Sequence, residues 1–427
     1  MDKCLTNRKS LRGDITTPGD KSISHRALIL NSIAKGKARI ENLSSGDDVR
    51  STMSCLQALG VKITGEGDVF MVDGVGPGGF RSPDDVLNAG NSGTTMRLMG
   101  GLLAAQPFFS VITGDASLRS RPMDRLINPL RHMGADIWGR KNDSLAPLAI
   151  KGRGLKGITY KMPVASAQIK SAILIAGLFA EGKTTITEPS ISRDHTERMI
   201  GALGVRITRD DKTIELTPSA PRAPVDVSVP GDISSAAFWL VAGAIHPDAK
   251  LRIINVGINP TRAGIIDVLL EMGAKLKVDR VSKEGGEPVA EVSIETSRLM
   301  GIRIRGNMIP RIIDEIPLIA LAGACANGNT VIRGAQELRV KESDRIRTTV
   351  SELSKIGVDI EELSDGMVIH GGGGIKGGEC QSYGDHRLAM TMGIASLVSK
   401  GEIVIHDADA VTVSYPGFWE ELERIST

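Results

Sequence analysis

Aromatic residues are scarce in this sequence. Three tryptophans, three tyrosines and seven phenylalanines make up 3% of 427 residues, too few for the stacking platforms that hold single-stranded nucleic acid. An excess of one charge is lacking too, since 52 Lys and Arg stand against 50 Asp and Glu for a formal net charge of +2. Both absences argue against a nucleic-acid partner. The four cysteines, Cys4, Cys55, Cys325 and Cys380, lie far apart and make no C-x-x-C or metal-spaced set with the seven histidines. Reduced thiols and no metal are expected. The longest apolar run, Ala172 to Ala180, falls far short of the roughly 20 residues that cross a bilayer. Met1 to Gly13 is short and polar, with no apolar signal core and no Arg/Ser-rich leader, so a cytoplasmic protein with no membrane partner is expected.

Glycine is abundant, at 49 residues, and 41% of the chain is hydrophobic, enough to bury the cores of two or three domains. A helix-closing phrase recurs as Leu59-Gly60-Val61, Met133-Gly134-Ala135, Leu203-Gly204-Val205, Met272-Gly273-Ala274 and Ile356-Gly357-Val358. Each glycine sits where a helix C-cap is expected, and the alternating residues after it read as a strand. A sixth helix, Phe418 to Ile425, ends with the chain, and a strand over Ser10 to Thr16 is expected to complete this sixth unit.

Each repeat also carries a helix that is apolar nearly all round: Ser24 to Ala34, Thr94 to Ala105, Gln168 to Ala180, Ser234 to Ile245, Ile316 to Ala326 and Arg387 to Ser399. Such helices belong inside, so each domain is expected to bury three of them behind outer strands and amphipathic helices. Two identical tripeptides, Pro18-Gly19-Asp20 and Pro230-Gly231-Asp232, divide the six repeats into three and three. The expected α/β architecture is a globe over 19–231 and a second over 1–18 and 232–427, with a hinge near 18–20 and 230–232.

The helix mouths carry the chemistry. Before the buried helices of the first globe stand Lys21, Ser22, Ser24 and Arg26, then Asn91, Ser92, Gly93, Thr94 and Arg97, then Ser166, Ala167, Gln168 and Lys170. The second globe offers Asp232 to Ser235, Asp314-Glu315 and Asp385-His386-Arg387, and other loops add Arg119, Arg121, Arg193 and the run Arg339 to Arg345. Free N–H groups, small hydroxyls and cations at helix N-termini attract phosphates and carboxylates. If the mouths face one cleft, they form an anion trap. Asp314 and Glu342 are the carboxylates of this set that lie beside strong cations, suited to proton transfer, and Asp314 is also a candidate N-cap.

Gly19-Asp20-Lys21-Ser22-Ile23-Ser24-His25-Arg26, Gly90-Asn91-Ser92-Gly93-Thr94-Thr95-Met96-Arg97, Arg121-Pro122-Met123, Ser166-Ala167-Gln168, Ile313-Asp314-Glu315, Arg339 to Arg345 and Asp385-His386-Arg387 together resemble the 3-phosphoshikimate 1-carboxyvinyltransferase family of enolpyruvyl transferases. The resemblance spans the chain. It implies two inside-out α/β barrels, each of three βαβαββ units with buried parallel helices. The implied reaction moves the enolpyruvyl group of phosphoenolpyruvate to the 5-hydroxyl of shikimate 3-phosphate, through a tetrahedral ketal and with release of phosphate, in aromatic amino-acid biosynthesis. No cofactor or metal is implied.

By the same resemblance, Ser22, Arg26, Ser166, Ala167, Gln168 and Arg193 hold shikimate 3-phosphate, with Lys21, Asp314 and Lys341 also touching it. Lys21, Gly93, Arg121, Arg345 and Arg387 clamp phosphoenolpyruvate, in a pocket that Asn91, Thr94 and Gln168 help shape. Asp314 is the implied base for the attacking hydroxyl, and Glu342 with Lys21 moves the methylene proton. Gly93 is the position where family members differ in sensitivity to glyphosate, and glycine leaves room for the inhibitor. The chain departs from some members at Val413-Ser414-Tyr415-Pro416, where they carry a lysine, and from others at His195-Thr196, where they have a tyrosine.

The sister transferase acting on UDP-N-acetylglucosamine normally needs a cysteine in a mobile loop, and Ala116 to Arg121 has none. A P-loop phosphotransferase is excluded because Gly19-Asp20-Lys21-Ser22 lacks the G-x-x-x-x-G-K-[ST] spacing. A non-catalytic phosphometabolite-binding protein would have no use for Asp314 and Glu342. A monomer is expected, because each globe buries its own core.

Overall fold

The computed structural model describes residues 1–284 and 286–426. Its contacts divide the chain into a first unit, Gly19–Val229 with Lys283–Glu287, and a second unit, Met1–Pro18 with Pro230–Ser282 and Pro288–Thr427. Each unit holds three sheets and its own apolar core.

Five of the six sheets have four strands built to one plan. In the plan an edge strand runs parallel to its neighbour, which then pairs with an antiparallel hairpin. Thr159–Lys161, for example, lies parallel to Thr184–Thr187, which pairs with the hairpin of Ile207–Asp210 and Thr213–Leu216. The five helix-closing glycines all adopt positive φ, between 78° and 101°. In each case the residue after the glycine donates its N–H five residues back, as Val61 does to Leu56 and Val358 to Leu353. These bonds satisfy the last helical carbonyls and turn the chain into the hairpin.

The buried helices are Lys21–Ile33, Gly93–Ala104 and Ala167–Gly177 in the first unit, and Ile233–Ile245, Ile316–Ala324 and His386–Ser396 in the second. Most begin earlier than the apolar pattern alone suggests, because Asp20, Ser92, Ser166, Asp232 and Asp385 cap them with side-chain acceptors. Lys21, Ser22, Gly93, Thr94, Ala167, Gln168 and Arg387 are therefore first-turn residues and not part of the loops before the helices. Ile316–Ala324 is the exception, with Glu315 at its N-cap and no side-chain capping bond. Asp314 is not a cap.

The N-terminal strand does not do what its position suggests. Lys3–Leu5 completes the sixth sheet, antiparallel to Ile403–His406, while Leu11–Thr16 runs parallel to Ala249–Gly257 in the fourth. Periodicity identifies a strand but not its partner. Val227–Ser228 shows the converse, because it precedes Ile233–Ile245 yet pairs with Lys35–Glu41 beyond the first helix. The two edge strands have thus exchanged helices at the two Pro-Gly-Asp tripeptides. Both glycines are required by close approach: a Cβ on Gly19 would lie 1.8 Å from the Asn42 carbonyl oxygen, and one on Gly231 2.5 Å from Thr17 Oγ1.

Five of the aromatics cluster in the second unit, where Phe418 stacks on Trp239 at 5.1 Å and meets Phe238, Tyr415 and Trp419 edge-on. Among the described residues no helix is long and apolar enough to cross a membrane, and the four cysteines are free.

Candidate active site

Each unit gathers its own set of polar residues at helix N-termini. In the first unit Lys21 Nζ pairs with Asp48 Oδ2 at 2.9 Å. Arg26 is buried, with Nε donating to Thr196 Oγ1 at 2.6 Å, Nη1 to the Ser22 carbonyl at 2.7 Å and Nη2 to Ser171 Oγ at 2.7 Å. Fixed on three sides, its guanidinium stands beside Ser22. At the next mouth, Gln168 Nε2 donates to Thr94 Oγ1 at 2.9 Å and Arg97 Nη1 donates to Gln168 Oε1 at 2.7 Å. One amide thereby joins two helix starts.

Gly93 shows why glycine opens that helix. A Cβ there would lie 2.6 Å from Arg97 Nη1 and 3.4 Å from Arg121 Nη1, so two guanidinium groups converge on the bare backbone. Arg121 is itself held by Asn91 Oδ1, and Asn91 Nδ2 donates to Asp115 at 2.6 Å. Ser166 caps its helix through Ile169 N, and Ala167 and Gln168 follow in the first turn. Arg193, half-buried, precedes the His195–Ala202 helix.

Beneath these groups runs a buried hydroxyl chain. His25 Nδ1 meets Thr52 Oγ1, Thr52 meets Thr95 Oγ1, and Thr95 meets Ser92 Oγ and the Asp48 carbonyl, all within 3.1 Å. Burial, with the neighbouring charges of Lys21 and Arg26, pushes the His25 imidazole well below its ordinary pKa. It is therefore neutral and serves as a structural hydrogen-bonding group.

Lys170 is a correction. It is fully buried and its Nζ lies 3.1 Å from Glu188 and 2.8 Å from Glu197, with Arg209 bridging the same two carboxylates. Spacing put it at the anion-binding mouth. In the structure the helix turns it inward, where its charge is matched by glutamates and serves to anchor the segment carrying Arg193.

In the second unit Asp314, 12% exposed, is ringed by four cations: Arg345 Nη1 at 3.3 Å, Lys341 Nζ at 3.5 Å, Arg262 Nη1 at 3.7 Å and Arg387 Nη2 at 3.9 Å. Arg345 is the hub. It is buried, and it pairs with Glu342 Oε2 at 2.6 Å and Asp385 Oδ2 at 2.7 Å. Burial alone would lower the Arg345 pKa and raise that of Asp385. Their mutual attraction outweighs it, so Arg345 stays raised and Asp385 lowered, and the pair is charged. Asp385 also caps its helix through Arg387 N.

The sequence-selected residues thus fall into two sets. The first unit holds Lys21, Ser22, Arg26, Asn91, Gly93, Thr94, Arg121, Ser166, Ala167, Gln168 and Arg193, and the second holds Asp314, Lys341, Glu342, Arg345 and Arg387. Asp48 and Asp385 join Asp314 and Glu342 as carboxylates beside strong cations. Arg262 was missed, although it sits before the Gly264–Glu271 helix as Arg193 sits before His195–Ala202. Repeat position was the signal that could have found it. Among the described residues no cluster of three or more His, Cys, Asp or Glu could hold a metal ion.

Such a density of cations, hydroxyls and amide N–H groups suits small polyanions. Comparison with known proteins gives the same direction. The family model for EPSP synthase (3-phosphoshikimate 1-carboxyvinyltransferase) matches residues 5–422. Proteins named 3-phosphoshikimate 1-carboxyvinyltransferase from Bacillus cereus (strain G9842) and Bacillus thuringiensis (strain Al Hakam) are each 55% identical over 97% of this chain and 97% of their own. A solved EPSP synthase from Acinetobacter baumannii is 43% identical, with a TM-score of 0.89 over 100% of this chain and 98% of that one. The enolpyruvyl transferase NikO from Streptomyces tendae, at 20% identity and a TM-score of 0.81 over 99% of this chain and 96% of its own, shares the fold. With its two units of three α/β repeats and this near-complete match, the chain belongs to the EPSP synthase family.

Proposed function

We propose that this protein transfers the enolpyruvyl group of phosphoenolpyruvate to the 5-hydroxyl of shikimate 3-phosphate and releases phosphate, as a step of aromatic amino-acid biosynthesis. The observation that carries the proposal is Asp314, a carboxylate held among Arg262, Lys341, Arg345 and Arg387. A site that only bound anions would gain nothing from a carboxylate at the centre of its cations. A transferase needs one to take the proton from the attacking hydroxyl.

The remaining roles follow from chemical type. Ser22, Arg26, Ser166, Ala167, Gln168 and Arg193 hold the acceptor's phosphate and ring hydroxyls, and Lys341 reaches the acceptor beside Asp314. Lys21, Gly93, Arg121, Arg345 and Arg387 take the phosphate and carboxylate of the donor, with Asn91, Thr94 and Gln168 shaping the pocket; guanidinium forks suit both anionic groups. Protonation of the donor's methylene carbon by Glu342, with Lys21, makes C2 electrophilic. The hydroxyl adds to give the ketal, and loss of the proton with phosphate restores the double bond. Preorganised cations that neutralise the departing phosphate supply the main rate enhancement. We infer a monomeric cytoplasmic enzyme that uses no cofactor.

The test is phosphate release by purified protein given phosphoenolpyruvate with shikimate 3-phosphate, with each alone, and with UDP-N-acetylglucosamine as acceptor. Release with the shikimate ester only is expected. Release with the nucleotide sugar only, or binding without release, would overturn the proposal.

A further inference from the structure

The loop 381–385 leads directly into Arg387, and one helix, Arg345–Lys355, grips it at both ends. At the first turn of that helix Arg345 Nε and Nη2 reach the two oxygens of Asp385 at 2.7 and 3.2 Å. Near the last turn, Glu352 is fully buried and accepts from Gln381 N at 2.8 Å, Tyr383 Oη at 2.9 Å and Lys355 Nζ at 2.9 Å. Ser382 fastens the other side of the loop, donating to the Asp407 carbonyl at 3.0 Å and accepting from Gly384 N at 3.1 Å.

Tyr383 is the unusual member. Its φ is 55°, in the left-handed region that costs a non-glycine residue on the order of 1 kcal/mol, and the residue is 49% exposed. Burial of the ring therefore does not hold this backbone shape. A turn bond from Asp385 N to the Ser382 carbonyl at 2.9 Å closes the backbone around Tyr383 and Gly384, and Glu352 braces that turn through the Tyr383 hydroxyl and the Gln381 N–H. The reaction gives neither Glu352 nor Tyr383 a chemical step.

We infer that Glu352 and Tyr383 are positioning residues for the donor: they fix loop 381–385, and through it set Arg387 and Asp385 against Arg345. This rests on the functional reading above, in which Arg345 and Arg387 take phosphoenolpyruvate. The acceptor-holding residues of the first unit are attached to other segments, and the acceptor meets the second unit through Lys341 and Asp314, so the effect falls more on the donor than on the acceptor.

The experiment compares Tyr383→Phe, Glu352→Gln and a control, Ile369→Val, which trims a buried side chain on another strand of the same unit. In both loop variants the KM for phosphoenolpyruvate is expected to rise about 3–10-fold, the range one lost hydrogen bond carries. The KM for shikimate 3-phosphate and kcat are expected to stay within about twofold. The control is expected to lower the melting temperature and leave both KM values in place. Unchanged donor KM in both loop variants would overturn the inference, as would a joint rise of both KM values or a donor effect in the control. Absence of turnover in the unsubstituted protein would overturn the functional reading first, and this inference with it.

Discussion

Replacing Asp314 by alanine is expected to abolish turnover nearly completely while binding persists. As general base, Asp314 contributes a factor of about 10²–10⁴, or roughly 3–5 kcal/mol of barrier. Binding should move the other way. Asp314 lies between 3.3 and 3.9 Å from four cations, and one unit-charge pair at about 4 Å is worth about 4 kcal/mol at an effective dielectric of 20. Removing that charge strengthens the attraction for an incoming anion. If solvent screening leaves a quarter of one such pair, phosphoenolpyruvate binds about fivefold more tightly. Arg345 keeps Glu342 at 2.6 Å and Asp385 at 2.7 Å, so the local fold should survive, and Asp314→Asn preserves side-chain volume as a second variant. The assay is initial-rate phosphate release over both substrate concentrations, with single-turnover measurements to isolate the chemical step. A kcat loss below about tenfold, or KM values that rise as far as kcat falls, would refute the role of base.

Glyphosate should inhibit with a constant near the affinity for phosphoenolpyruvate, and Gly93→Ala should weaken both ligands severalfold, because the new Cβ displaces the Arg97 guanidinium now 2.6 Å away; unchanged inhibition and donor KM would contradict this. Lys170→Met leaves Arg209 to balance both Glu188 and Glu197, which should destabilise the protein by about 3 kcal/mol or more; a calorimetric melting temperature equal to the parent's would count against the ion network. His25 is held neutral in the folded protein, whereas the unfolded chain takes up a proton below about pH 6.5. Its contribution to stability is therefore present above that pH and declines as pH falls, by up to about 1.4 kcal/mol per pH unit. Urea midpoints between pH 7.5 and 5.5 should drop less steeply for His25→Asn, and parallel curves would discard the assignment.

Local signals in the chain were the legible ones. The five capping glycines and the buried faces could be read because a left-handed C-cap and an all-apolar helix are each decided within a few residues. Partnership between distant segments could not. Leu11–Thr16 looks the same whether it pairs with Ala249–Gly257 or with the sixth sheet, and only tertiary packing chooses. Lys170 and Arg262 failed for opposite reasons. Lys170 carries the right charge two residues after Gln168 but on the inward side of the helix, whereas Arg262 stands alone in an Asn-Pro-Thr turn and is brought to Asp314 only by the repeat geometry.

The exchanged edge strands bear on how the chain folds as it is made. Once Val227–Ser228 emerges, every strand of the first unit's three sheets exists. Leu11–Thr16 by then has waited without its partner strand, Ala249–Gly257, for most of the roughly 10–50 s that translation of the intervening residues takes at about 5–20 residues per second. Lys3–Leu5 waits longer still, until Ile403–His406 is synthesised. These two early-made strands thus wait through most of synthesis for their partners, and an unpaired strand edge is an aggregation hazard throughout. A tag or deletion that reaches Lys3 injures the unit finished last, and leaves intact the one that follows it in sequence.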